Sequence, residues 1–382
     1  MNRDSKECVS PVHVSIGIIA WNEAEAIGRC LESLFAQSIF AELAARGKCA
    51  EIVCVTNGCT DSTPEIVRRV FDEESVRHVH REAFACRPID VRERGKLRAW
   101  NAFVHEFSTR EAAFLILMDG DIVLHHPDTL WNMLTVLYAK SDAWVATDEP
   151  LKDIAFQSKK SWRERISLAT STMSRAAEAQ LTGQLYCIRT EIARRIYMPL
   201  DLPACEDGFI KTLVCTNFLT TKTNPTRIVR APNATHIFEA YTKAIDVLRN
   251  QKRQMIGQTY LHVLHSYVRS LPREQRETIA TILRENDTKN PGWLRGLVQQ
   301  HLERTAHCWE IFPGVLGFRF RRLAHLRGVR RLTHAPVALI GFGVTIMACF
   351  AARRWLEKGF APYWPDTKSR HLQDVQTNER GK

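Results

Sequence analysis

Three short apolar stretches, each ending on a polar residue, constrain the fold of this chain more than any other feature. VHVSIGIIA (12–20) breaks at Trp21-Asn22-Glu23, EIVCVTN (51–57) ends on Asn57, and AFLILMD (113–119) ends on Asp119. Runs this short and rich in β-branched residues read as buried strands. Between them lie helical patterns. EAIGRCLESLFAQ places Ile27, Cys30, Leu31 and Leu34 on one face, and Thr60, Asp61 and Ser62 can cap a helix with Pro64 in its first turn. GKLRAWNAFVHEF (95–107) reads as a third helix. Strand–helix alternation predicts an α/β fold with a mostly parallel sheet flanked by helices. In such sheets ligands bind beyond the carboxyl ends of the strands, where Asn22, Asn57, Asp61 and Asp119 all fall.

The third strand continues as FLILMDGDIVL, which sets two carboxylates into an apolar run. Burying them costs free energy unless something pairs with them. Residues two apart on a strand share a face, so Asp119 and Asp121 can reach one ligand, and Gly120 leaves the backbone open to close approach. Hard oxygen ligands of this kind suit Mg2+ or Mn2+, which would in turn hold a diphosphate. A D-x-D tripeptide is common, and a solvated turn is the bland alternative. The charge balance favours the anionic ligand: the 382 residues carry a formal net charge of +11.

The flanking stretches decide more. SIGIIAWNEAEAIGRCLESL, EIVCVTNGCTDSTPEIV, GKLRAWNA, LMDGD, TGQLYCIR and CEDGF follow one another between residues 12 and 257, and in that order the chain resembles a family 2 glycosyltransferase of the GT-A fold. The resemblance implies a Rossmann-like sheet and a nucleotide-diphosphate sugar as donor. It implies that Ala20, Asn22 and Glu23 line the nucleotide pocket, with Asn57 and Asp61 across from them, and that Lys96 lies near the donor. By the same resemblance Asp119 contacts ribose or metal, Asp121 coordinates the metal, and Asp207 is the general base with Glu206 beside it. Gln184 and Arg189 are candidates for sugar or phosphate contact, Arg253 for phosphate, and His236 for a third metal ligand; His125 and His126 fit that role less well. Thr56 stands where the family often has an aspartate that helps select uracil, so the donor base stays open. No Q-x-x-R-W stretch is present, which points to transfer of one sugar instead of polymerisation.

Such chemistry needs one base on the acceptor side, because a metal stabilises the leaving diphosphate. The acceptor would be a hydroxyl, lipid-linked or on a small molecule, in cell-envelope, glycolipid or polysaccharide synthesis. Two other readings compete. A nucleotidyltransferase usually opens with a Gly-rich basic loop, whereas this chain has AWNEAEAIG; an inactive membrane-attached scaffold would not need its acids.

Beyond residue 160 the pattern turns mainly helical, and APVALIGFGVTIMACFAA (335–352) holds eighteen residues without a charge. FRFRRLAHLRGVRR (318–331) precedes it with six arginines and no acid, and Trp355, Tyr363 and Trp364 follow. The arrangement suits a membrane surface or span, or else a buried helix. No nucleic-acid partner is expected. The expected organisation is a catalytic domain over 1–230, a helical extension over 231–310 completing the acceptor side, and a basic, apolar segment over 311–382. Eleven cysteines without C-x-x-C spacing and an N-terminus without a secretory signal suggest buried free thiols. The expected place is the cytoplasm, at the inner face of the membrane; the last dozen residues read as disordered.

Overall fold

The computed structural model describes residues 11–157, 161, 164, 168, 180–241, 244–305, 311–312, 317–326 and 328–358. The final dozen residues, with Tyr363 and Trp364, lie outside these. The first half holds the strands and helices its patterning predicts, β1 (Val12–Ala20), α1 (Ile27–Phe35), β2 (Cys49–Asn57), α3 (Thr63–Arg77), α4 (Lys96–Ala102) and β4 (Phe114–Asp119), together with two elements the patterning did not announce, α2 (Ile39–Ala44) and β3 (Phe84–Val91). Then come β5 (Val123–Leu124), α5 (Thr129–Ala139), β6 (Val145–Lys152), β7 (Leu185–Arg189), α6 (Thr190–Ala193), α7 (Glu206–Cys215) and β8 (Ile228–Phe238). The rest is helical: α8 (Ala244–Ser270), α9 (Arg273–Glu277), α10 (Ile279–Lys289), α11 (Trp293–Arg304), α12 (Phe318–Ala324) and α13 (Val329–Glu357).

Eight strands form one sheet in the order β3-β2-β1-β4-β7-β6-β8-β5. It is parallel from β3 through β4. Beyond β4 it is mixed, with β7 antiparallel to both β4 and β6, β8 parallel to β6, and β5 antiparallel to β8.

The sheet separates two apolar layers, and the strands feed them alternately. Val14, Ile16 and Ile18 of β1, Ile52 and Cys54 of β2, and Ile116 and Met118 of β4 meet α1, α3 and α5 on one side. Val53, Val55, Leu115 and Leu117 meet α4, α7 and α8 on the other. This period of two follows from the pleat and fixes which side each strand-end residue can reach. Cys30, Cys54, Cys187 and Cys349 are buried free thiols, as expected. Cys49 departs from that pattern and is disulfide-bonded.

Candidate active site

Asp119 ends β4 two residues after Leu117, so the pleat turns it to the side of α4 and α7. Both helices begin at that edge. Lys96 opens α4, and its Nζ lies 2.7 and 2.9 Å from the two carboxylate oxygens of Asp119. Glu206 opens α7, after Cys205 turns the chain with a left-handed φ of 67°, and its Oε1 is 3.0 Å from the same Nζ. Gly183 makes room for this carboxylate, since a Cβ there would stand 3.1 Å from Oε1 of Glu206. Three segments far apart in sequence thus converge on one ammonium.

Burial raises the pKa of Asp119 to about 6; Lys96 opposes the rise and the charge of Asp121 adds to it. Burial would also raise Glu206, but Lys96 and then Arg253 of α8 overrule it and hold Glu206 low. Asp207 goes the other way. Burial lifts it, and the ionised Glu206 beside it lifts it further, against a hydrogen bond that Asp207 accepts from the Gly208 amide at 2.8 Å. Lys96 stays charged because its two carboxylates outweigh its desolvation. Two adjacent acids at a helix N-terminus are therefore driven apart in basicity, which is how a protein readies one of a pair to take a proton.

Asp121 lies beyond the strand end, and its Oδ1 is buried without a hydrogen-bond partner. An orphaned buried carboxylate oxygen is an open invitation to a cation. Gly120 serves the protein itself: a Cβ there would come within 2.9 Å of the Ala20 Cβ, so it lets β4 close against β1. No group of three His, Cys, Asp or Glu with metal-holding geometry occurs among the described residues. His236 in particular is fully buried, with Nδ1 2.6 Å from Asp148 and Nε2 3.3 Å from Oε1 of Gln184. It is a paired core histidine and does not complete a protein-only metal cage with Asp119 and Asp121. A divalent ion bound through one carboxylate and substrate phosphates needs no such cage, and Asp121 fits that role.

The other expected pocket residues sit at the sheet edge, but several are engaged with the protein. Asn57 is 1% exposed; it donates to the Ala20 carbonyl at 2.8 Å and accepts from the Gly95 amide at 3.0 Å. Asp61 accepts from Ala24 N, Thr63 N and Thr63 Oγ1, which ties the start of α3 to the loop after β1. Glu23 joins the same knot through its amide, which donates to Thr63 Oγ1 at 2.8 Å. Asn22, held at a left-handed φ of 54°, clasps Thr60 through both ends of its amide. These residues shape the walls of the edge. Gln184 accepts the Asp119 amide at 2.9 Å through its backbone carbonyl, which steadies the end of β4. Thr56 donates to Ile89 O or to Asp90 Oδ1 on β3.

Arg189 is corrected: it pairs with Phe114 at the opposite end of β4 and donates to the Ala143 and Leu137 carbonyls, too far along the strand to touch the acids. His125 packs on Phe156, and His126 belongs to the turn before α5. Two features escaped the sequence. The Arg94 guanidinium stacks 3.5 Å over the Trp21 ring, and Trp100 donates to the Tyr186 hydroxyl at 2.6 Å beneath Lys96. The aromatics were visible as letters, but nothing in their spacing announced these partners.

Comparison with known proteins agrees with this arrangement. Residues 15–187 match the profile of glycosyl transferase family 2. No curated protein matches the chain. Among solved structures it is similar to S. aureus TarS residues 1–349 in complex with UDP, at 15% identity and a TM-score of 0.43, covering 91% of this chain and 92% of that one. It is also similar to glucosyl-3-phosphoglycerate synthase from Mycobacterium tuberculosis in complex with Mn2+, UDP and glucosyl-3-phosphoglycerate, at 13% identity and a TM-score of 0.40, covering 65% and 78%. Likenesses this distant say nothing about substrate. The profile match spans the strand ends and D-x-D described above, so residues 15–187 carry a domain that matches glycosyl transferase family 2.

Proposed function

We propose that the protein transfers a single sugar from a nucleotide-diphosphate donor to an acceptor hydroxyl with inversion, with Asp207 as general base. The observation that carries this reading is the divergence of Glu206 and Asp207. Glu206 is neutralised by Lys96 at 3.0 Å, while Asp207 keeps a raised pKa at the start of α7. A carboxylate of raised basicity can take the acceptor proton as the hydroxyl oxygen attacks the anomeric carbon and the bond to the diphosphate breaks. Glu206 holds Lys96, and Lys96 holds Asp119 at the donor side, so base and donor are set on one rigid frame. Ala20, Asn22, Glu23, Asn57 and Asp61 form the nucleotide walls in this proposal, and Gln184 steadies Asp119 beneath the sugar.

Asp121 would hold Mg2+ or Mn2+ together with the donor phosphates; when bound, that ion stabilises the leaving nucleoside diphosphate. The acceptor is a hydroxyl that is lipid-linked or close to a membrane, in cell-envelope or glycolipid synthesis, a reading that leans on the apolar α13. The proposal keeps a catalytic unit over 1–230, an acceptor-side extension over 231–310 and a membrane-directed segment over 311–382, on the cytoplasmic face.

Asp207→Asn tests it. Transfer should fall by about 10²–10⁴-fold, while the thermal shift caused by a nucleotide sugar with Mn2+ stays within a degree or so of the parent's. Near-full transfer by the variant would remove Asp207 from the mechanism.

A further inference from the structure

Helix α13 has two apolar faces, and only one of them is covered. Ala348, Cys349, Ala352 and Leu356 are buried within the same core layer as Met255, Ile256 and Leu264 of α8. Gln299 of α11 donates to the Leu356 carbonyl at 2.8 Å and fastens the end of the helix to the body. On the opposite side Leu332, Leu339, Ile340, Met347 and Phe350 are 55–76% exposed. At 100° per residue the two sets fall on opposite flanks of the helix, so the sequence reads as apolar all round although only half of it has a partner.

The segment Arg331–Glu357 is long and apolar enough to cross a membrane by length and composition. Crossing would surround the helix with lipid and strip Ala348, Ala352 and Leu356 from the core that now buries them. Lying in the interface strips nothing and covers the exposed flank alone. The charge around it selects the surface. Residues 311–356 contain eight arginines and no aspartate or glutamate, and the exposed Arg331 and Arg354 stand toward the two ends of the apolar flank. Phe320 of the arginine-rich α12 packs on Phe342 of α13 at 5.3 Å between ring centroids, which places that basic helix at the border between the covered and the exposed flank.

We infer that α13 docks in the plane of an anionic phospholipid surface, with its Leu332–Phe350 flank in the acyl boundary, arginines on the headgroups and the opposite flank still packed on α8. The inference rests on the membrane association proposed above and is independent of the chemistry assigned to Asp207. A half-inserted helix of this kind reaches about 5–10 Å into the bilayer and draws on both apolar burial and charge.

Full-length protein sedimented with vesicles of phosphatidylcholine and phosphatidylglycerol at about 3:1 should bind at least ~10-fold better than with phosphatidylcholine alone, and should be released by salt. Leu339→Glu combined with Phe350→Glu should lower binding to the anionic vesicles at least ~10-fold with an unchanged melting temperature, because both positions face outward. The donor-induced thermal shift should be the same in parent and variant, so loss of that shift speaks to the transfer proposal and loss of vesicle binding to this one. Three results would overturn it: equal binding to both vesicle types, binding that resists alkaline carbonate as a spanning helix would, or a dimer in light scattering that the double variant dissolves.

Discussion

Replacing Lys96 by Met tests whether one ammonium organises the acidic edge. The lysine side chain is 34% exposed, while Asp119 and Glu206 beneath it are 20% and 13% exposed. Removing one partner of a buried ion pair costs about 3–5 kcal/mol, and water reaching a third of the lysine screens part of that, which leaves roughly 2–3 kcal/mol. For a chain of this size that lowers the melting temperature by about 2–4 °C. The pH dependence is the sharper signature. In the parent, Lys96 opposes the upward shift of Asp119 and holds Glu206 low. Without it both carboxyls rise above their unfolded values, so the folded variant binds more protons than the unfolded chain. Because the parent's Glu206 ionises near 2 and its Asp119 near 6, stability relative to the parent falls as pH rises from about 2 and goes on falling past 6, so the deficit should be smaller near pH 5 than near pH 8. Scanning calorimetry of both proteins across that range measures it. A deficit of constant size from pH 5 to 8, or none, would show that Lys96 does not carry the charge balance of the site.

Further expectations are simpler. Transfer rate should rise with pH through the elevated titration of Asp207 and then level off, because only its ionised form accepts a proton; a rate that declines across that range in a pH–rate profile would point to a different base. His236→Ala should cost about 3–5 kcal/mol in denaturant unfolding, since it leaves Asp148 fully buried beside an empty space. Gly257→Ala should cost about 1–3 kcal/mol, because its Cβ would meet the Cys205 sulfur at 2.6 Å and Ala204 at 3.0 Å. Gly343→Ala on α13 meets nothing within 4 Å and should be neutral or stabilise by up to about 1 kcal/mol, so the pair of glycines separates crowding from helix propensity.

In the parallel half of the sheet β1, β2 and β4 were legible because they are short, β-branched and punctuated by polar residues, a pattern that only burial on both faces requires; the edge strand β3, buried mainly at its start, was not. Nor was the far half. β5 has two residues, β7 five, and their order places β7 between β4 and β6 against chain order, through pairings that leave no local trace. Among site residues, Asp119 and Glu206 could be suspected one by one, but their meeting on Lys96 joins positions 23 and 110 residues apart from it. Asn57 and Asp61 show a different limit. A polar letter at a strand end does not say whether its atoms face a ligand or the neighbouring loop, and here they hold the loop. Arg189 misled for a related reason: nothing local in TGQLYCIR showed that it pairs antiparallel with β4, which carries Arg189 to the end away from the acids. Helix α13 concealed two faces in one uninterrupted apolar run.

The two aspartates of MDGD also prove to have separate tasks, and charge explains why. Asp119, Asp121, Glu206 and Asp207 bring four carboxylates to this edge, and the cations acting on them are Lys96 and Arg253. Lys96 is already engaged with Asp119 and Glu206, so an arriving diphosphate meets net negative charge around Asp121. At an effective dielectric near 20, each uncompensated unit about 6 Å away costs the phosphate on the order of 3 kcal/mol, a factor of more than 100 in affinity. A divalent ion on Asp121 reverses that sign. UDP should therefore bind at least ~10-fold more tightly by calorimetry with Mn2+ or Mg2+ than with a chelator, and Asp121→Asn should abolish the metal-dependent gain while leaving the weak metal-free binding in place. Asp119→Asn should behave differently, because it frees Lys96 toward the phosphate and so strengthens metal-free binding. Equal UDP affinity with and without metal in the parent, or identical behaviour of the two variants, would refute the division of labour between the two aspartates.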